Sequence, residues 1–444
     1  MGGNWDTAAA RRYHELTKHS YESVRRGARA LDRANRPQPF KEYVDVEAQP
    51  LAQESELGQL LRWGAGVIRS RTFGGVDTYH FRTYSSAGAL YPVEVYVADA
   101  EGLWHFHPLE EALRRIREED VRGHLAETRM VIALTGILWR SAWKYGLRAY
   151  RHLFWDAGTM LANLLALAGA AALEARVLTG FVDREVNDVL GVDGEREAGL
   201  ALLALGPSEP APTAPARPAL ELAVAQLSRR EEAYPEAYAL HAASSLTTAA
   251  EVRRYRGGHF PEGSEPGRSS KELERVLRRR GSAREFASTA VRRAEAEAVL
   301  SAALGPIPAD VPPANELYIV ASAVEGLDPG AYRFTRGGGF ELLRAGAFRL
   351  QAGYLALEQA LGARAAVTAF LLADLEQVLA AHGNRGYRAV QLEAGIRTGR
   401  VYLEAYARGL GATASTFYDD DVSAFFAPGT SLAPLLCIAF GRTA

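Results

Sequence analysis

The strongest constraint on this chain is that its two halves repeat each other. Val93-Glu94-Val95-Tyr96-Val97 has a counterpart in Asn315-Glu316-Leu317-Tyr318-Ile319-Val320, and Glu101-Gly102-Leu103-Trp104 in Glu325-Gly326-Leu327-Asp328. Further on, Tyr145-Gly146-Leu147-Arg148-Ala149-Tyr150-Arg151 answers His382-Gly383-Asn384-Arg385-Gly386-Tyr387-Arg388. Asp156-Ala157-Gly158 answers Glu393-Ala394-Gly395. The offsets, 222 from Glu94 to Glu316 and 237 from Tyr145 to His382, are close to half of the 444 residues. Repetition at half the length predicts two copies of one unit. Between them, 206–218 carries repeated prolines, which remove backbone donors and favour an extended connector. The expected domains are therefore 1–205 and 220–444, joined by a linker at 206–219. A second polar break, 256–270, is expected as a loop.

Strands are expected at 93–97, 131–135, 199–205, 317–321, 366–371 and 435–440, and long helices at 154–173 and 389–408. Strands and helices that do not strictly alternate predict α+β layering. The stretch 161–173 is apolar nearly all round, so it is expected to be buried on every side, as at a seam between halves. Trp104-His105-Phe106-His107 is expected at a sheet edge and 114–122 on a solvated helix face. A formal net charge of −2 gives no electrostatic reason for nucleic acid or an anionic membrane as partner. The single cysteine, Cys437, excludes an internal disulfide and a cysteine-rich metal site, and its apolar run predicts a buried thiol. Residues 1–12 lack a signal-peptide core, and 160–173 is short for a membrane span, so cytoplasmic residence is expected. His105, His107 and His152 lack metal-ligand spacing, and no metal is expected.

The segment Arg82-Thr83-Tyr84-Ser85-Ser86-Ala87-Gly88-Ala89-Leu90-Tyr91-Pro92 runs straight into the strand at 93–97. Small residues let backbone amides approach a flat ligand. This segment resembles the small-residue loop of the SagB/ThcOx-type dehydrogenases, flavin enzymes of the nitroreductase superfamily. The resemblance covers roughly 20–205 and 270–442. It implies two nitroreductase-like α+β domains in tandem that form an intramolecular pseudo-dimer, with FMN held between them.

On this resemblance, Arg280, Ser282 and Arg284 match the phosphate segment, and guanidinium forks with a hydroxyl suit a dianion. Arg442 is expected to add a third charge. Ser85, Ser86, Ala87, Gly88, Ala89, Leu90 and Tyr91 would lie beside the flavin ring, and Gly409, Leu410 and Gly411 would offer amides to it. The converse site looks degenerate. Residues 33–40 lack the serine, and 307–313 has no glycine and prolines that withdraw donors. One FMN per chain follows. Lys144-Tyr145 matches the family's proton-removing pair, whereas the second half has Ala381-His382. Arg148, Tyr150 and Arg151 recur as Arg385, Tyr387 and Arg388, and retention in both halves marks them as structural.

The resemblance implies an FMN-dependent dehydrogenase that oxidises thiazoline or oxazoline rings of a ribosomally made peptide. A partner such as a cyclodehydratase complex would supply peptide recognition. The alternatives are a flavin oxidase of carrier-bound or small-molecule heterocycles, a nitro- or quinone-reductase, and a flavin-free scaffold.

Overall fold

Each half builds one antiparallel sheet on a shared plan. The computed structural model describes residues 3–27, 30–74, 77–210, 220, 222–259 and 268–444. The first sheet runs, in spatial order, Ala48–Pro50, Ala112–Arg117, Gly102–His107, Val93–Asp99, Met130–Ile137, Glu197–Leu205 and Ala175–Leu178. The second runs Phe340–Ala345, Gly330–Phe334, Glu316–Ala321, Val367–Asp374, Leu432–Gly441 and Gly411–Ser415. From the second strand of the first sheet onward the two orders coincide, so the sequence repeat is a repeat of topology. Met130–Ile137 and Glu197–Leu205 are buried at every position. Apart from Thr135 and Glu197 they read as apolar runs, because both faces of the sheet centre are covered.

Two expectations about this sheet are corrected. Gly102–His107 is an interior strand, flanked by Val93–Asp99 and Ala112–Arg117. The basic run near 114 begins as strand Ala112–Arg117 rather than as a solvated helix face. Its arginines stand at 114, 115 and 117, and Arg117 buries its guanidinium against the carbonyls of Val189 (2.9 Å) and Asp188 (3.0 Å). Of the linker expected at 206–219, residues 211–219 lie outside the described residues. Of the loop expected at 256–270, Arg256 ends the helix Ala249–Arg256 and 260–267 lie outside the described residues.

The halves meet along the helices Ala149–Ala170 and Leu375–Ala407. Of the stretch 161–173 expected to be buried on every side, 161–165, 167 and 168 are buried, whereas Ala171 and Ala172, past the helix end at Ala170, are exposed. A Cβ on Gly158 would lie 2.4 Å from the Leu392 carbonyl oxygen and 2.6 Å from the Gly395 Cα. One on Gly395 would lie 2.5 Å from the Trp155 carbonyl oxygen. The repeated acid-Ala-Gly triplets therefore mark where the two backbones touch. Gly146 (φ 55°), just before the first helix, and Gly383 (φ 65°), at a kink within the second, turn the chain at matching places. They put Tyr145 and His382 in equivalent positions.

Reciprocal ion pairs lock the seam. Arg148 and Arg151 each reach Asp419 at 2.9 Å, while Arg385 and Arg388 reach Asp183 at 2.5 and 2.9 Å, all buried. Each arginine pair holds the first residue of a helix in the other half. The flanking tyrosines are reciprocal too. Tyr387 Oη lies 3.4 Å from His14 Nδ1 and Tyr150 Oη lies 3.0 Å from His241 Nδ1. The repeat thus extends to the helices Ala8–Leu16 and Pro235–Ala243, upstream of where the resemblance begins. Removing one partner of a buried pair typically costs about 3–5 kcal/mol. Asp183→Ala leaves two guanidinium groups uncompensated and is expected to cost that much in urea unfolding. A loss below about 1 kcal/mol would show that the clamps do not hold the halves.

Candidate functional site

The loop 82–91 is fed by the hairpin Val67–Phe73/Asp77–Arg82, which has no counterpart among the described residues of the second half. Gly88 (φ 63°), Ala89 (φ 53°) and Tyr91 (φ 48°) are all left-handed. Such a conformation costs roughly 1–2 kcal/mol per non-glycine residue, so the surroundings must impose it. The helix Ala149–Ala170 does so. Asp156 accepts from the Ser86 hydroxyl and from the Ala87 amide (3.2 Å), Thr159 donates to the Ser85 carbonyl (2.6 Å), and Asn163 to that of Thr83 (3.1 Å). The Tyr91 amide closes the loop on Ser86 Oγ (2.9 Å). Leu90 and Tyr91 are buried beneath it. The amides of Ser85, Ser86 and Gly88 have no partner among the described residues.

Burial pushes the Asp156 carboxyl up to about 7, against opposing hydrogen bonds from Ser86 and Ala87. Between the unfolded value near 3.9 and about 7 the folded chain therefore binds the extra proton. Stability falls as pH rises through that window and levels off above it. Asp156→Asn is expected to abolish this fall, worth up to about 4 kcal/mol for a shift of this size. Thermal unfolding from pH 4 to 8 reads it, and an unchanged slope in the variant would refute it.

Lys144 and Tyr145 end the helix Leu138–Tyr145 directly over this loop. A Cβ on Gly88 would lie 2.7 Å from Tyr145 Oη and 3.1 Å from Lys144 Nζ. Glycine therefore makes the space in which the two polar ends stand. Lys144 is exposed, yet neighbouring protein, and then the Arg284 cation, lower its pKa. Burial raises that of Tyr145, which keeps a neutral phenol. Tyr145 packs edge-on against His152 (4.3 Å), which stacks on Trp155 (4.7 Å). His152 is held neutral, chiefly by burial.

The second half contributes the other wall. Arg284 is exposed and has no hydrogen bond or ion pair among the described residues. Ser282 Oγ lies 3.2 Å from Tyr402 Oη, which also accepts from Ser85 Oγ (3.3 Å) and the Ala414 amide (2.7 Å). Buried Tyr402 thus joins the two segments, a role with no sequence signal beyond a tyrosine on a helix.

Arg280, Arg442 and the segment 409–411 are otherwise engaged. Arg280 is buried and donates to the carbonyls of Arg82 (2.8 Å), Thr83 (2.7 Å) and Tyr84 (2.9 Å), so it braces the loop from beneath. Arg442 pairs with Glu295 at 3.2 Å, a carboxylate it shares with Arg292 (2.8 Å). The amides of Gly409 and Leu410 donate to the Tyr406 (3.2 Å) and Ala405 (2.9 Å) carbonyls, so the helix end consumes them. Gly411 enters a strand against Thr443 and Ala283. Arg69, on the hairpin, was not singled out from sequence. A Cβ on Gly281 would lie 3.0 Å from its Nη2, which brings a further guanidinium to the 280–284 segment.

An unpaired guanidinium, three open amides and a space kept by glycine thus converge at the loop 82–91. The Nitroreductase family model matches residues 46–206. A protein of Methanocaldococcus jannaschii named as a nitroreductase is 30% identical over 150 residues, which are 30% of this chain and 74% of that protein. The microcin B17-processing protein McbC of Escherichia coli is 25% identical over 146 residues, or 28% of this chain and 54% of McbC. A crystal structure from Anabaena variabilis, also named as a nitroreductase, superposes with a TM-score of 0.83 at 25% identity. It covers 98% of this chain and 99% of that one. The likeness therefore extends over both halves. With its doubled sheet and its loop site at the seam, the chain belongs to the nitroreductase family and is an oxidoreductase.

Proposed function

We propose that the chain is an FMN-dependent dehydrogenase that oxidises thiazoline or oxazoline rings of a ribosomally made peptide to thiazoles or oxazoles. One FMN per chain would sit between the first-half loop and the second-half segment 280–284. The observation that carries the reading is the convergence of Lys144 and Tyr145 on Gly88, beside unpaired Arg284. FMN, when bound, supplies the hydride acceptor; the protein supplies position and electrostatics.

Arg284, Ser282 and Arg69 would hold the phosphate, with Arg280 bracing the loop. The amides of Ser85, Ser86 and Gly88 would face the ring system. Lys144 would take the proton from the azoline carbon. A lowered pKa leaves more of it neutral at a given pH, which is what a general base requires. Tyr145, a neutral phenol, would donate a hydrogen bond that orients the ring. Glycine at 88 keeps this pair from being pushed off the loop. The similarity to a microcin-processing protein supports a peptide substrate. A cyclodehydratase complex is then the fitting source of that substrate.

The test is to incubate flavin-loaded protein with a synthetic thiazoline peptide under oxygen and follow its mass. Loss of two hydrogens per ring is expected. Fast NAD(P)H oxidation with a nitroaromatic, and an unchanged peptide, would instead make the chain a reductase.

A further inference from the structure

The second half keeps a cavity where its counterpart of the catalytic loop falls. Its volume is about 310 Å³, at the lower end of ligand pockets. The segment 307–314 forms one side and the helix Leu375–Ala407 the other, with His382 in the position that Tyr145 holds in the first half. Val177 closes it from the first half, in a parallel bridge with Ala309. The anchoring acid is retained. Glu393 accepts from the amides of Ala314 (2.8 Å) and Asn315 (3.1 Å), as Asp156 does from Ala87.

The chemistry of this cavity differs from that of the first site. Among the described residues no arginine or lysine lines it, whereas Glu316, Asp374 and Glu393 do. Pro312 and Pro313 replace the amides that a ring would need. Arg36, from the segment expected to match the phosphate-binding one, stacks on Tyr79 at 4.1 Å and takes no part in the lining. A phosphate placed here would be buried among carboxylates without a counter-charge. Apolar Val378, Val390, Leu392 and Ile396 cover much of the wall. His382 supplies a directed polar group. Its Nδ1 lies 2.8 Å from the Tyr255 carbonyl oxygen, which only accepts, so Nδ1 carries the hydrogen and Nε2 of the neutral ring is an acceptor.

We propose that this cavity is a second, non-flavin binding site, for a small uncharged ring molecule that carries one N–H or O–H donor. The ring fills the apolar wall, and the donor bonds His382 Nε2. Duplication has left one half with the flavin loop and freed the other for a different ligand. The proposal does not depend on which substrate the first site oxidises.

The probe is indole, with 1-methylindole as the ring without a donor and benzoate as the anion, titrated calorimetrically into the flavin-loaded full chain. Indole is expected to bind saturably, one per chain. 1-Methylindole should bind about five- to tenfold more weakly, the worth of one net hydrogen bond. Benzoate should not bind. His382→Leu should bring indole down to the level of 1-methylindole. Ala389→Leu, which fills the cavity, should weaken both without changing flavin content. Absence of saturable indole binding would overturn the proposal. So would equal binding of all three probes, or indole affinity unchanged in both variants.

Discussion

Replacing Gly395 with alanine is expected to destabilise the protein by about 3 kcal/mol or more, a large effect for one methyl group. The new Cβ would stand 2.5 Å from the Trp155 carbonyl oxygen and 2.9 Å from both Gly158 Cα and the Phe154 carbonyl oxygen. All three are backbone atoms of a buried helix and cannot swing aside as a side chain would. Overpacking in a core usually costs about 1–3 kcal/mol. Here the two longest helices must also separate along their length, which loosens the clamps at Asp183 and Asp419. Gly337→Ala is the control, because its nearest atom would be Thr335 Oγ1 at 3.9 Å. That change should stay within about 0.5 kcal/mol. Chemical denaturation reads both. Equal, small effects would mean that the helices do not meet through Gly158 and Gly395.

Lys144→Ala should lower turnover by about 10²- to 10⁴-fold, the usual contribution of a positioned general base. Flavin content should be unchanged, because no contact that holds the cofactor in the proposal passes through Lys144. The pH–rate profile of the unmodified enzyme should rise with pH through the Lys144 pKa, which lies below the usual lysine value of 10.5 because of desolvation by neighbouring protein and then Arg284. Arg284→Ala removes the repelling charge, so it should move that limb to higher pH as well as weaken flavin retention. Steady-state assays with visible spectra separate the two effects. Full activity in Lys144→Ala would remove it from the chemistry.

The parts legible in the sequence were those whose physics is local or repeated. Gly158 and Gly395 sat in matching triplets because both serve one crossing point. Arg148 and Arg385 stood out as structural because each half needs its own clamp. The small residues 85–89 were legible because a tight, left-handed loop demands them. Asp183 and Asp419 were not, since an aspartate opening a helix looks ordinary until its partners in the other half are seen. Tyr402 and Arg69 reach the site across the seam, at sequence distances that no spacing rule covers. Arg280 shows the converse. An arginine before a serine suits a phosphate, but the same fork fits three converging carbonyls, and burial decides between them. Arg114 and its neighbours were misjudged because long charged side chains can stand along a strand and still be buried by their stems.

The central claim is that the two halves form one flavin site and not two. The most direct test is the flavin-to-protein ratio of the purified chain after reconstitution with FMN and removal of excess, read from the visible spectrum. About one FMN per chain is expected, falling toward zero in Arg284→Ala and unchanged in Arg36→Ala. Two per chain would contradict the account by placing flavin in the cavity beside His382, and none would leave the loop site without its cofactor.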